Sequence, residues 1–151
     1  MAKVHSCGIF LVNNDNKLLI GHPTNHKPDF WSIPKGKVEE GETYLQAAIR
    51  ETFEETNIDL SMCKGFRELD MVNYSHNKKA LHPFLVLERN NSVVNWSSFD
   101  IKCNSCVPVE KGGFPEMDSF LWVSLDEARV LLHKTQVKCL DKIKELINGN
   151  N

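Results

Sequence analysis

The sequence predicts an α/β fold in which one mixed β-sheet lies between flanking helices. Three observations predict it. A β-hairpin signature opens the chain. Two capping boxes, Thr43 with Gln46 and Ser124 with Glu127, start helices far apart in the sequence. Strand-like and helix-like runs then alternate without the regular βαβ rhythm of a doubly wound sheet.

The elements follow in order. Residues 4–12 are apolar-rich and β-capable, Asn13-Asn14-Asp15-Asn16 turns the chain, and residues 17–21 resume the apolar run. Residues 22–29 carry Pro23 and Pro28 and read as a loop. Phe30-Trp31-Ser32-Ile33 is short and extended, because Pro34 disfavours helical geometry just before it. From Thr43 to Thr56, the residues Leu45, Ala48, Ile49, Thr52, Phe53 and Thr56 recur at helical spacing. Residues 65–75 and 80–89 read as strands joined by the polar turn His76-Asn77-Lys78-Lys79, with Lys78-Lys79 solvated. Residues 90–115 are weakly patterned and predict one strand plus loops. Residues 119–123 form a strand, and a helix runs from Ser124 to about His133. An amphipathic helix over about 135–148 ends at Gly149. No repeat or linker interrupts the 151 residues, so one domain is expected over 1–151.

Composition excludes several classes. A chain of this length buries roughly 68–70% of its unfolded surface and needs no disulfide or metal staple. Lys and Arg number 18 against 20 Asp and Glu, a net charge of −2. No strong basic field exists, which argues against a nucleic-acid clamp. No apolar run approaches the ~20 residues of a membrane span. The start, MAKVHSCGIFLV, lacks a signal-peptide cleavage site and reads as a first strand. Five cysteines, odd in number and scattered, argue against a secreted disulfide framework and for a reducing, cytoplasmic setting.

The chemistry concentrates on the helix from Thr43. With Glu51 at zero, Glu54 lies at about 300° and Glu55 at about 40°, so three carboxylates share a face roughly 100° wide. Like charges at this spacing repel. Their crowding implies a cation, and hard divalent ions such as Mg²⁺ or Mn²⁺ take carboxylates, water and phosphate oxygens. The preceding run, Pro34-Lys35-Gly36-Lys37-Val38-Glu39-Glu40-Gly41-Glu42, offers glycines for tight turns and two lysines for phosphate oxygens.

Residues 36 to 58 resemble the Nudix box, G-x5-E-x7-R-E-U-x-E-E-x-G-U with U bulky and apolar. Gly36, Glu42, Arg50, Glu51, Glu54, Glu55 and Ile58 match it. Thr52 departs from the apolar preference, and Asn57 replaces the second glycine, where Asn is the next-best residue for a left-handed cap. Weaker similarity continues through Pro115-Glu116, Trp122-Val123-Ser124-Leu125 and Glu127-Ala128. The resemblance implies an α/β/α sandwich and a Mg²⁺- or Mn²⁺-dependent pyrophosphohydrolase acting on a nucleoside diphosphate linked to another moiety. It implies Glu51 and Glu55 as metal ligands, Glu54 as ligand or base, and a backbone carbonyl near Lys35 or Gly36 completing the shell. Arg50 then orients a box glutamate. A later loop is expected to bring Glu116 as base or extra ligand, with Asp118 and Glu110 behind it.

The run Trp31-Ser32-Ile33-Pro34-Lys35-Gly36 is similar to the W-x-x-P-K-G stretch of dinucleoside tetraphosphate and diphosphoinositol phosphate hydrolases. It implies dinucleoside polyphosphates or ADP-ribose-like adenosine diphosphates as small-molecule substrates, with Lys35, Lys37 and Trp31 binding them. The compact chain suits a bacterial or phage member of the NudE type, and many members are homodimers.

Plainer explanations compete. The glutamates alone would make an ordinary solvated helix face, but that leaves the matching loop unexplained. Glu42 alone would be a first-turn residue favoured by the helix dipole. Cys103-x-x-Cys106 is half a zinc site with no second pair. His22, His26, His76 and His82 flank loops. Trp96 and Phe99 suit core packing as well as base stacking. Two alternative functions share the box: removal of a 5′ nucleotide cap from RNA, and non-catalytic nucleotide sensing.

Overall fold

A computed structural model describes residues 3–92 and 94–149. Its strands are β1 (Val4–Val12), β2 (Leu18–Pro23), β3 (Lys35–Lys37), β4 (Arg67–Glu68), β5 (Val72–Asn73), β6 (Lys79–Leu87) and β7 (Met117–Val123). Its α-helices are α1 (Tyr44–Thr56), α2 (Leu125–Leu131), α3 (Lys134–Val137) and α4 (Leu140–Ile147). The strands join one sheet in the order β4-β6-β1-β2-β7, with β3 also on β1 and β5 also on β6. β1 and β6 run parallel from Val4↔Lys79 to Val12↔Leu87, and the other pairs are antiparallel. The sheet is mixed, as predicted.

Strand alternation explains the three layers. Cys7, Ile9 and Leu11 of β1 and Phe84 and Val86 of β6 pack with Ala47 and Ala48 of α1. Phe10 and Val12, with Leu81, Leu85 and Leu87, face Leu140, Ile143 and Ile147 of α4. Burial on both faces is why residues 4–12 are apolar almost without interruption. The result is the expected α/β/α sandwich.

The predicted hairpin forms and then splits. β1 and β2 pair at Val12↔Leu18. β2 then follows β7, while β3 takes the other half of β1 at Ser6↔Lys37, Cys7↔Gly36 and Gly8↔Lys35. The split carries the lysine–glycine run beneath α1.

Both capping boxes close. Thr43 Oγ1 accepts from Gln46 N at 3.1 Å and Gln46 Oε1 from Thr43 N at 2.9 Å. Ser124 and Glu127 repeat the exchange at 3.1 and 2.8 Å. Thr52 is buried and its hydroxyl donates to Ala48 O at 2.8 Å, so the polar atom is satisfied inside the core.

Four expectations are corrected. Residues 65–75 pair with β6 only at β4 and β5, whose registers differ by one residue. Pro83 of β6 lies opposite the gap and has no N–H for the ladder, although its carbonyl still accepts from Leu69 N. Residues 90–115 contain no strand among the described residues, only 3₁₀ turns and the bridge Cys106↔Pro115. Their backbone bonds go largely to the end of α1 and within the segment. The terminal helix is broken between α3 and α4. There Cys139 N donates to Gln136 O three residues back, while the Gln136 side chain reaches Ile33 N and Ser32 Oγ. α2 stops at Leu131 because Leu132 is extended and bridges to Trp31.

Candidate active site

β3 alternates its faces. Gly36 points at α1, and a Cβ there would overlap the Glu51 carboxylate. Only a glycine lets the strand approach the helix this closely. One helical turn on, Glu55 is 5% exposed and accepts a 3.1 Å bond from Lys35 N. Burial pushes its carboxyl up to about 8; the Lys35 amide opposes the rise, and the charges of Glu51 and Glu116 add to it. Burial raises Glu51 as well. Its bond to Arg50 lowers it, and Glu54 and Glu116 raise it.

Arg50 binds this region together. Its Nε and Nη2 make a fork to Glu42 at 2.7 and 2.9 Å. Nη1 donates to Glu51 at 2.9 Å and to Glu54 at 3.2 Å, and Nη2 donates to Lys37 O at 3.0 Å. The fork lowers the Glu42 carboxyl below its ordinary value. Glu42 is therefore a structural partner of the box arginine, beyond any interaction with the helix dipole. In this structure Arg50 offsets the charge of Glu51 and Glu54, while Glu55 is held apart on the Lys35 amide. Among the described residues, no three His, Cys, Asp or Glu side chains converge closely enough to enclose an ion as they stand. The donors nonetheless suit a hard dication: carboxylates that raise one another's affinity for protons, with the Glu51 carboxylate seated against Gly36, where no Cβ stands in its way.

Glu55 also forms one wall of a cavity of about 590 Å³. Glu116 stands on that cavity beside it, and Lys35, Lys79, Tyr74 and His133 line it too. Phe30, Phe114 and His26 add aromatic surface. Tyr74 Oη is buried without a hydrogen-bond partner, and Lys79 Nζ lies 5.0 Å over the Tyr74 ring. Burial first, then the neighbouring Lys35 charge, holds the Lys79 ammonium below its ordinary value. Burial and the charges of Lys134, Lys35 and Lys79 do the same to His133. Such a corner favours an anion.

The structure therefore brings together Lys35, Gly36, Arg50, Glu51, Glu54, Glu55 and Glu116. It does not bring in Lys37, whose side chain is exposed and whose carbonyl serves Arg50. Trp31 does not line the cavity: its indole donates to Pro28 O at 3.0 Å and its ring meets the edge of His22. Asp118 pairs with His22 at 2.7 Å, and Glu110 is exposed on a distant turn. All five cysteines are free thiols, and Cys103 Sγ accepts from Met117 N. Trp96 is buried against Trp122, and Phe99 packs beside it. Among the four flagged histidines, only His26 reaches the cavity; His82 stacks on Tyr44 at 3.7 Å.

Sequence reasoning missed Tyr74 and Lys79. Lys79 is half-buried, not part of a solvated turn, because β6 begins on it. The available signal was the short hairpin itself, in which Tyr74 N donates to Lys79 O and sets the two side by side.

Comparison with known proteins gives the same lineage. The NUDIX domain family model matches residues 3–145. An RNA pyrophosphohydrolase of Pelagibacter ubique is 26% identical over 149 residues, covering 93% of this chain and 91% of that protein. The asymmetrical bis(5′-nucleosyl)-tetraphosphatase of Sus scrofa is 34% identical over 113 residues, covering 73% and 66%. Among solved structures, a C. elegans Ap4A hydrolase in a binary complex superposes with a TM-score of 0.70 at 22% identity, covering 97% and 98%. No described helix is long and apolar enough to cross a membrane. With the sandwich, the glycine-cradled glutamate helix and a family match across nearly all its residues, this chain belongs to the Nudix hydrolase family.

Proposed function

We propose that residues 1–151 act as one catalytic domain, a divalent-metal-dependent pyrophosphohydrolase. Its substrates are dinucleoside polyphosphates or ADP-ribose-like adenosine diphosphates. One observation carries the reading. A single cavity joins the acids Glu55 and Glu116 to the phosphate-seeking ammonium side chains of Lys35 and Lys79, with aromatic surface alongside. That arrangement suits a molecule with a polyanionic middle and flat ends.

Nudix hydrolases generally use divalent metals. Here Glu51 and Glu55 would hold Mg²⁺ or Mn²⁺, with Glu54 and the Gly36 carbonyl in reach of the same shell. Such an ion polarises the phosphoryl oxygen and lowers the pKa of a coordinated water. The chain's own residues do the rest. Arg50 keeps Glu51 and Glu54 in place through its fork on Glu42. Lys35 and Lys79 neutralise phosphate charge. Glu116 or Glu54 takes the proton of the attacking water. The cavity is large enough for a nucleotide.

A panel of dinucleoside polyphosphates, ADP-ribose and NAD, run with Mg²⁺ and Mn²⁺ in ¹⁸O-labelled water, tests this. Cleavage with label in one phosphate product supports it; no cleavage of any diphosphate compound overturns it. A second reading, removal of a 5′ cap from RNA, draws on the near full-length similarity to an RNA pyrophosphohydrolase. Preference for capped RNA over free dinucleotides, with strong salt dependence, would favour it.

A further inference from the structure

Glu116 has no regular element to stand on. It lies at the end of a segment without strands among its described residues, yet it reaches the same cavity as Glu55. Besides β7, which starts at the next residue, and the bond from Thr24 N to its carbonyl, what holds it there begins at the end of α1. A helix leaves its last carbonyls without partners. Here Glu54 O accepts from Asn104 N at 2.6 Å and Thr56 O from Lys102 N at 3.1 Å. The Asn104 side chain caps further, Nδ2 donating to Phe53 O at 3.1 Å.

Asn57, the residue that replaces the box glycine, completes the cap. It is left-handed at φ 69°, a conformation that glycine would adopt more easily. Its side chain does what glycine could not. Nδ2 donates to Asp100 O at 2.9 Å, and Oδ1 accepts from Asn104 Nδ2 at 2.9 Å. The next residue, Ser105, gives its carbonyl to Glu116 N at 3.0 Å, and Cys106 bridges to Pro115. A continuous set of bonds therefore runs from the end of the glutamate helix to the backbone of Glu116.

We infer that the Asn57–Asn104 side-chain pair is a positioning device, locking the Glu116 wall to the helix that carries Glu51 and Glu55. The inference rests on the proposed catalytic reading of that cavity. Its reach is mechanical: the pair fixes the Asn104 side chain that, with the backbone bonds to Glu54 O and Thr56 O, ties α1 to the segment ending at Glu116, and so helps to set the distance between the carboxylates. Misplacing a reacting group by about 1 Å can cost up to 10²-fold in rate.

The decisive variant is Asn57→Gly. Glycine suits the left-handed cap, so the helix keeps its end while both side-chain bonds vanish. The expected result is a kcat about tenfold lower with KM within twofold, and a melting temperature close to that of the parent. In an E116Q background the same change should cost nothing more, because its effect passes through Glu116. Asn104→Ala should repeat the kinetic pattern. A full additional loss in E116Q, or an unchanged kcat in N57G, overturns the proposal. An E116Q enzyme with parental activity overturns it too, and it also removes Glu116 from the catalytic reading. Amide hydrogen exchange provides a readout independent of turnover. The Asn104 and Glu116 amides should exchange faster in N57G while those of β1 and β6 stay protected. Unchanged exchange at Glu116 overturns the coupling even if no substrate is ever found.

Discussion

Two walls carry the carboxylates in and around the cavity, Glu55 and Glu116 lining it, and they are held by different forces. Glu51, Glu54 and Glu55 project from a helix whose register is set by a packed apolar face and tuned by one arginine that contacts Glu42, Glu51 and Glu54. Glu116 projects from a segment that buries little of itself and is tied down by backbone bonds to α1, to Ser105 and, through its carbonyl, to Thr24 N. The first wall is organised by charge and burial. The second is organised by unsatisfied helix carbonyls.

The largest effect should separate the walls outright. Glu51→Gln or Glu55→Gln preserves shape and removes the charge, so kcat should fall by about 10³ or more with the fold intact by circular dichroism. Loss of Glu116 should cost clearly less. Equal losses on both walls would erase the distinction drawn here.

Arg50→Lys comes next. Lysine keeps the charge but cannot make the fork to Glu42 while reaching Glu51 and Glu54. Mn²⁺ affinity by calorimetry should weaken by about 10- to 100-fold, as for other residues that orient ligands. The same variant should leave Glu116 amide protection untouched; faster exchange there would mean that the walls are not independent of Arg50.

The smallest effect concerns the edge of the second wall. His22 Nδ1 meets Asp118 at 2.7 Å and Nε2 meets the Lys27 carbonyl at 2.8 Å. Both partners are acceptors, so only the protonated ring satisfies both. The Lys27 carbonyl first, and then Asp118, raise the pKa of His22 above its ordinary 6.5; partial burial opposes them. The folded value lies above the unfolded one, so this stabilisation is complete below pH 6.5 and lost as pH rises through the raised value. The melting temperature should decline slightly across that window, and His22→Asn should flatten the decline. A slope unchanged in the variant would assign it to other groups.

Much of the first wall could be read in advance. Its signals are local: helical spacing of Leu45, Ala48 and Ile49, the Thr43–Gln46 box, and acids one turn apart. The box pattern from Gly36 to Ile58 is local in the same sense. The second wall left almost no signal. Residues 90–115 carry neither period, because their backbone answers to the end of α1 and not to a neighbouring strand. Trp31 looked like a stacking residue from its place in the sequence, but its indole is claimed by Pro28 and His22. Tyr74 reads as an ordinary strand residue and Lys79 as a solvated turn residue, and a short hairpin turns both into the cavity.

The sequence alone therefore determined the family, through the resemblance of residues 36–58 to its box, and, through periodicity and spacing within a few turns of chain, the glutamate helix and the mixed sheet behind it. Tertiary structure decided what faces those acids. Which carboxylate lies on a backbone amide and which loop residue closes the cavity depend on groups roughly 20 to 60 positions apart, whose meeting no local pattern encodes.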